Sequence, residues 1–144
     1  MSFGDPTDLP VAEFAFPGPL RNKLVTAILA GKKTATAGLL AEYEREPELE
    51  PIPKVGDRAF VVDSEERPVA LIETTEVRII RAAEVDLQLA LDEGEGFLSV
   101  ADWRTAHEKF WHSTEMRAVL DEPEFSVTDE TLIVAERFRL VERL

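Results

Sequence analysis

The chain is 144 residues long and carries 16 Lys plus Arg against 29 Asp plus Glu, a formal balance of −13. That length fits one domain burying roughly two-thirds of its unfolded surface, and an apolar fraction of 44% with 31% charged residues excludes global disorder. The absence of cysteine removes thiol nucleophiles, disulfide frameworks and zinc knuckles, and the negative charge disfavours a broad grip on duplex DNA.

Residues 1–15 read as an N-terminal tail and residues 16–144 as a single domain. The tail carries Asp5 and Asp8 without the basic start and apolar stretch of a signal peptide, and no apolar run is long enough to span a membrane. A cytoplasmic protein without membrane association is the expectation. Phe14 and Phe16 are positioned to dock the end of the tail onto the core. Pro17-Gly18-Pro19 supplies a turn and a pre-set φ for a helix over Leu20 to Ala30, whose Leu20, Leu24, Ala27 and Ile28 recur at three and four residues and which Gly31 ends. Lys32 to Leu39 reads as a short extended piece. Ala41 to Pro53, with Pro47, Pro51, Pro53 and runs of Glu, reads as a solvated loop.

Gly56-Asp57 opens two strands, Arg58 to Val62 and Val69 to Ile80, joined by a polar turn. In the second, alternation places Thr75, Val77 and Ile79 on one side and Thr74, Glu76 and Arg78 on the other. Ala83 to Glu93 reads as a helix that stops at Gly94-Glu95-Gly96. Ser99 then caps another helix whose apolar stripe is Trp103, Ala106, His107, Phe110 and Trp111. Ser113 to Asp129 reads as a loop before a last strand, Thr131 to Val141. The order lacks regular βαβ alternation, which gives an α+β fold around a curved or closed sheet.

The local charge map is sharper than the total. Pro17 to Ala41 holds four basic residues, Arg21, Lys23, Lys32 and Lys33, and no acidic one, while the rest of the chain has 12 basic against 29 acidic. This island fits either an anion contact or a solvated helix end whose cations offset the helix dipole. Within it, Gly31-Lys32-Lys33-Thr34-Ala35-Thr36 follows a helix instead of opening one, so it is not a P-loop. A lysine can activate a threonine hydroxyl only if its pKa is lowered from about 10.4 by desolvation or neighbouring cations. Lys33 and Thr36 converge only if the chain bends between them, since residues three apart on a strand face opposite sides. A glutamate of Glu93-Gly94-Glu95-Gly96 can serve as a proton donor if burial raises its pKa, or stand as a plain acidic turn. His107 and His112, five apart on one helix, do not face one site, and no ligand spacing points to a metal. Trp103 and Trp111 belong to the core by their spacing, and Tyr43 is the better stacking candidate.

Five segments in this order, Gly31-Lys32-Lys33-Thr34-Ala35-Thr36, Ile72-Glu73-Thr74-Thr75-Glu76-Val77, Glu93-Gly94-Glu95-Gly96, Trp103-Arg104 with Ala106-His107, and Glu136-Arg137-Phe138, resemble the ASCH (activating-signal-cointegrator homology) family over nearly the whole chain. The resemblance implies a PUA-like β-barrel with helices packed around it and a cleft between them. It also implies a partner that is single-stranded RNA or a nucleoside or nucleotide, with no cofactor. Some members hydrolyse RNA or remove the acetyl group of acetylcytidine. In the amidohydrolase members a Gly-x-Lys-x-x-Thr motif supplies a lysine proton acceptor and a threonine nucleophile, which fall on Lys33 and Thr36. Their glutamate proton donor falls near Glu95, with Glu93 the alternative. Arg21, Lys32, Tyr43, Ser99 and Arg104 are the candidate nucleic-acid contacts. The sequence departs from the family at Gly38, where an arginine often stands, and the chain is longer than the compact amidohydrolases. The expected function is therefore an RNA- or modified-nucleoside-binding protein of ribonuclease or acetylcytidine amidohydrolase type, the alternative being a non-catalytic binding module with a regulatory role.

Overall fold

The computed structural model describes residues 9–44 and 51–144. Most of the expected tail and part of the expected loop after Ala41 lie outside these residues. In chain order the elements are β1 (Val11–Ala12), α1 (Pro19–Leu29), β2 (Ala35–Leu39), α2 (Leu40–Tyr43), β3 (Arg58–Val62), β4 (Pro68–Arg81), α3 (Leu87–Asp92), α4 (Val100–Trp111), α5 (Thr114–Leu120) and β5 (Leu132–Arg143). Among the described residues no helix is long and apolar enough to cross a membrane.

The strands form one sheet in the order β1-β3-β4-β5-β2, with β1 parallel to β3 and the other pairs antiparallel. The mixed α+β architecture is as expected, but the sheet is open among the described residues instead of closing into a barrel. Among the described residues β1 pairs with β3 through Val11↔Phe60 and Ala12↔Val61, and β1 and β2 are the two edges of the sheet.

Each sheet face carries its own core. On one face Ala35, Leu39, Ile133 and Ala135 pack against Leu89, Trp103, Trp111, Met116 and Leu120 from α3, α4 and α5. On the other, Ile72 and Phe138 pack against Phe14 and the α1 residues Leu24, Val25 and Ile28. The register of β4 shifts between Thr74 and Glu76, so the extra residue Thr75 brings Thr74 onto the face of Val77 and Ile79 instead of opposite them, while Glu76 and Arg78 keep the other face as expected. On that face Thr74 is buried and Ile79 exposed.

Two helical stretches depart from expectation. The helix read from Ala83 to Glu93 is split: Ala82–Glu84 is a single 3₁₀ turn, and Asp86 then caps α3 by accepting from Leu89 N. The segment read as a loop from Ser113 contains α5, capped by the Ser113 hydroxyl accepting from Met116 N. At seven residues, α5 is too short to show a repeated stripe, and it gains stability from burying Met116 and Leu120.

Arg21 ties the approach to α1 onto the β3–β4 turn. It is 1% exposed and donates to Ala15 O at 2.8 Å, Asp63 O at 3.2 Å and Glu66 Oε1 at 3.1 Å. Arg21→Ala leaves two carbonyls without these donors, and an expected loss of about 2–4 kcal/mol follows. Urea denaturation checks this; a loss below about 1 kcal/mol would show that the clamp contributes little to stability.

Candidate functional site

The segment before β2 and the segment after α3 are fastened together by backbone. Thr34 N donates to Asp92 O at 2.8 Å, while Lys32 N and Lys33 N both donate to Ala27 O at the end of α1. Gly94 makes the close approach feasible. Its φ of +68° suits glycine, and a Cβ there would overlap the Lys32 carbonyl and stand 2.7 Å from Lys33 N. The two acidic residues of the Glu-Gly-Glu-Gly run are thereby carried to either side of one lysine.

Lys33 is 2% exposed, and its Nζ lies 3.8 Å from both Glu93 Oε1 and Glu95 Oε2. The ammonium also donates to Ala35 O at 2.8 Å and Glu93 O at 3.3 Å, and faces the Phe14 ring at 5.8 Å. Burial pushes the Lys33 pKa down, against the two carboxylates, which push it up. Burial also raises the pKa of Glu95, opposed chiefly by Lys33. The pair thus has its proton affinities drawn together across a short gap. Glu95 is the partner that reaches solvent, its side chain 13% exposed against 1% for Glu93.

Glu93 is held from α4. Trp103 Nε1 donates to its Oε2, and His107 Nε2 lies 3.2 Å from its Oε1. The His107 ring stacks on Trp103 at 4.2 Å. Glu93, Glu95 and His107 bring carboxylate and imidazole atoms within 4.8 Å of one another. Their polar atoms already face Lys33, Trp103 and each other, so the donor set fits an internal proton network, with Lys33 as the resident cation, better than a divalent ion.

Thr36 follows Ala35, whose carbonyl accepts a hydrogen bond from Lys33 Nζ, so Nζ lies beside the peptide that links Ala35 to Thr36. The bend required by the spacing exists: Lys33 precedes the strand, which starts at Ala35. Thr36 itself points to the α1 face, in register with Glu136 and, beyond it, Val77. Thr74 Oγ1 donates to Glu136 Oε2 at 2.6 Å, and burial raises the Glu136 pKa against that bond, with the charge of Asp57 adding to the rise. Gly38, Val77 and Ile79 continue the same face, and Ile79 is 48% exposed. The side chain of Tyr43 comes close to Gly38.

The structure therefore gathers Lys33, Glu93 and Glu95 and sets Thr36 at their margin. Arg21 is committed to the clamp described above. Lys32 is exposed beside the site, Ser99 caps α4 by accepting from Asp102 N at 3.0 Å, and Arg104 pairs with Glu108 and Asp129. Sequence reasoning did not assign His107, Trp103, Glu136 or Thr74 to a site. The i, i+4 spacing of Trp103 and His107 was the available signal for the first pair, and a glutamate within the apolar run of β5 was the signal for Glu136.

The family model of the ASCH domain matches residues 13–142. The chain belongs to the ASCH-domain family. Among solved structures it is similar to protein EF3133 from Enterococcus faecalis V583, with a TM-score of 0.78 and 28% identity over 93% of this chain and 77% of that one. It is also similar to an ASCH domain from Lactobacillus crispatus JV V101, with a TM-score of 0.73 and 28% identity over 92% and 80% of the respective chains. No curated protein sequence matches.

Two substitutions test this geometry. Gly94→Ala forces a strained φ and a backbone collision, and a loss of about 3 kcal/mol or more in chemical denaturation is expected. A near-neutral result would mean that the two segments are not in contact. For Glu136, a raised folded pKa means that its contribution to stability is present below the unfolded pKa and lost as pH rises through the folded value. Glu136→Gln should therefore gain on the wild type in thermal stability between about pH 4 and 7; a constant difference across that range would contradict the assignment.

Proposed function

We propose that the protein binds a modified nucleoside or a short RNA segment at the Lys33 site and hydrolyses it, with the amide of an acylated cytidine as the substrate class that best fits. Family membership supports an RNA-associated module. The observation that carries the chemical reading is the buried Lys33 between two carboxylates, with its Nζ against the peptide preceding Thr36. A lysine with a lowered pKa and a carboxyl with a raised pKa are the protonation partners that amide cleavage at neutral pH needs.

In this mechanism Thr36 Oγ1 attacks the acyl carbonyl while its proton passes to Lys33 Nζ. The C–N bond breaks as Glu95 delivers a proton to the departing exocyclic amine. Water then hydrolyses the acyl-threonine ester and restores Thr36. The partly apolar face formed by Thr36, Gly38, Val77 and Ile79 offers a floor of the kind a base can lie on, with Glu136 between Thr36 and Val77 to accept an amino hydrogen.

Ribonuclease activity is the weaker hydrolytic reading, because cleavage at phosphate requires cations at the substrate. Lys33 is buried and Arg21 is paired within the protein, which leaves Lys23 and Lys32 as the exposed members of the basic island.

The test incubates purified wild type, Lys33→Ala and Thr36→Ala with acetylcytidine and, separately, with mixed-sequence single-stranded RNA, resolving products by chromatography. Wild type should release cytidine, with a loss on the order of 10²-fold or more in both variants. Turnover equal in wild type and Lys33→Ala would overturn the assignment. Salt-sensitive RNA binding without any product would instead establish the non-catalytic module.

A further inference from the structure

Both ring nitrogens of His107 face acceptor oxygens. Its Nδ1 lies 2.9 Å from Trp103 O, which can only accept, so Nδ1 bears a hydrogen. Its Nε2 lies 3.2 Å from Glu93 Oε1, and Trp103 Nε1 donates to the other oxygen of that carboxylate. A lone pair on Nε2 facing a carboxylate oxygen is repulsive, so a proton stands between them; with the Trp103 N–H donated to Glu93 stabilising its carboxylate form, Nε2 is the atom to carry it. The other histidine is the opposite case. Val127 N donates to His112 Nε2 at 2.9 Å, so this nitrogen keeps its lone pair and His112 is neutral with hydrogen on Nδ1.

The charged groups facing His107 are Glu93 and Glu95 from the segment after α3, with Lys33 behind them from the segment before β2. Its remaining neighbours are the rings of Phe97, Trp103 and Trp111. Four titratable groups thus share one buried cluster, and with all four ionised their charges cancel.

We propose that His107 holds a proton on both ring nitrogens and acts as a positioning residue that neutralises Glu93, leaving Lys33 to exchange its proton with Glu95. This inference rests on the hydrolytic reading for its consequence, but not for its first step. Lys33 Nζ is 3.8 Å from both carboxylates, and with the charge of Glu93 balanced by His107 it is Glu95 that balances Lys33. Moving one proton across that gap yields the free amine that Thr36 needs and the neutral acid that the leaving amine needs. The transfer leaves the net charge of the cluster unchanged. Without the imidazolium, Glu93 holds Lys33 as ammonium and the amine form becomes scarce.

The test is nitrogen-detected NMR of the two imidazoles in the wild-type protein at neutral pH, which needs no substrate. His107 should show two protonated ring nitrogens and His112 one, and Glu93→Gln should cost His107 its Nε2 proton. An unprotonated Nε2 on His107 in the wild type would overturn the proposal. Activity supplies the second readout. His107→Gln, which keeps an N–H toward Glu93 without the charge, should lower kcat about tenfold at neutral pH for each unit by which the lysine-dependent limb of the pH profile moves upward, with KM little changed. An unshifted limb in a folded variant would remove His107 from the positioning role. If the imidazole signals are as expected but wild type leaves acetylcytidine intact, the hydrolytic reading fails while the His107–Glu93 assignment stands.

Discussion

The burial of one ammonium group organises this molecule. Removing Lys33 from water costs several kcal/mol even after relaxation, and the cost is offset only if every N–H of the ammonium finds a partner. Here the partners come from separate places: the Ala35 carbonyl from the start of β2, and the Glu93 carbonyl and two carboxylates from the segment after α3. Glu93 in turn depends on Trp103 and His107 from α4. The lysine can be satisfied only in the native arrangement of all three segments, so it discriminates strongly against alternatives in which any one is displaced.

The sheet topology makes that arrangement feasible. Because β2 is an edge strand, its outer side is open to another segment, and residues 92–95 fill that position with the Thr34 to Asp92 backbone bond and the Gly94 contact. The side chain of Arg137, on β5 next to β2, pairs with Asp92 and adds a second fastening. Alternation along β2 then separates two tasks. Ala35 and Leu39 anchor the strand to the helical core, while Thr36 and Gly38 face the opposite side. Lys33 lies before the strand begins and is free of that alternation, which is how one short motif serves both a buried ion cluster and a half-exposed surface.

Local signals made much of this legible. Pro19 and Gly31 bound α1 closely, Ser99 was identifiable as the α4 cap, and β3 was located to the residue. Lys33 and the two glutamates were identifiable as a candidate group through the Gly-x-Lys-x-x-Thr and Glu-Gly-Glu-Gly segments that carry the family resemblance. The remainder depended on tertiary context. α5 has too few turns for periodicity to register, and the bulge at Thr75 moves Thr74 to the face of Val77 and Ile79 through a register shift that no residue type announces. The pairing of His107 is not legible from histidine spacing, because its partner is a carboxylate fourteen residues away and not the other histidine.

The same cluster alters the meaning of the net charge. A balance of −13 with one basic island pictures a positive patch on a negative surface. Two of the four island cations are instead internal: Arg21 pairs with Glu66 and Glu13, and Lys33 with Glu93 and Glu95. What remains exposed is Lys23, whose Nζ approaches Glu95 O at 3.4 Å, and Lys32. Two exposed lysines on so acidic a chain provide little counterion release for a polyanion, whose affinity scales with the number of phosphates neutralised. A nucleoside carries no phosphate and meets no such penalty. For the proposed site, electrostatics therefore favours the smallest and least charged member of the nucleic-acid ligands, and the discrimination comes from what the buried cluster withholds from the surface.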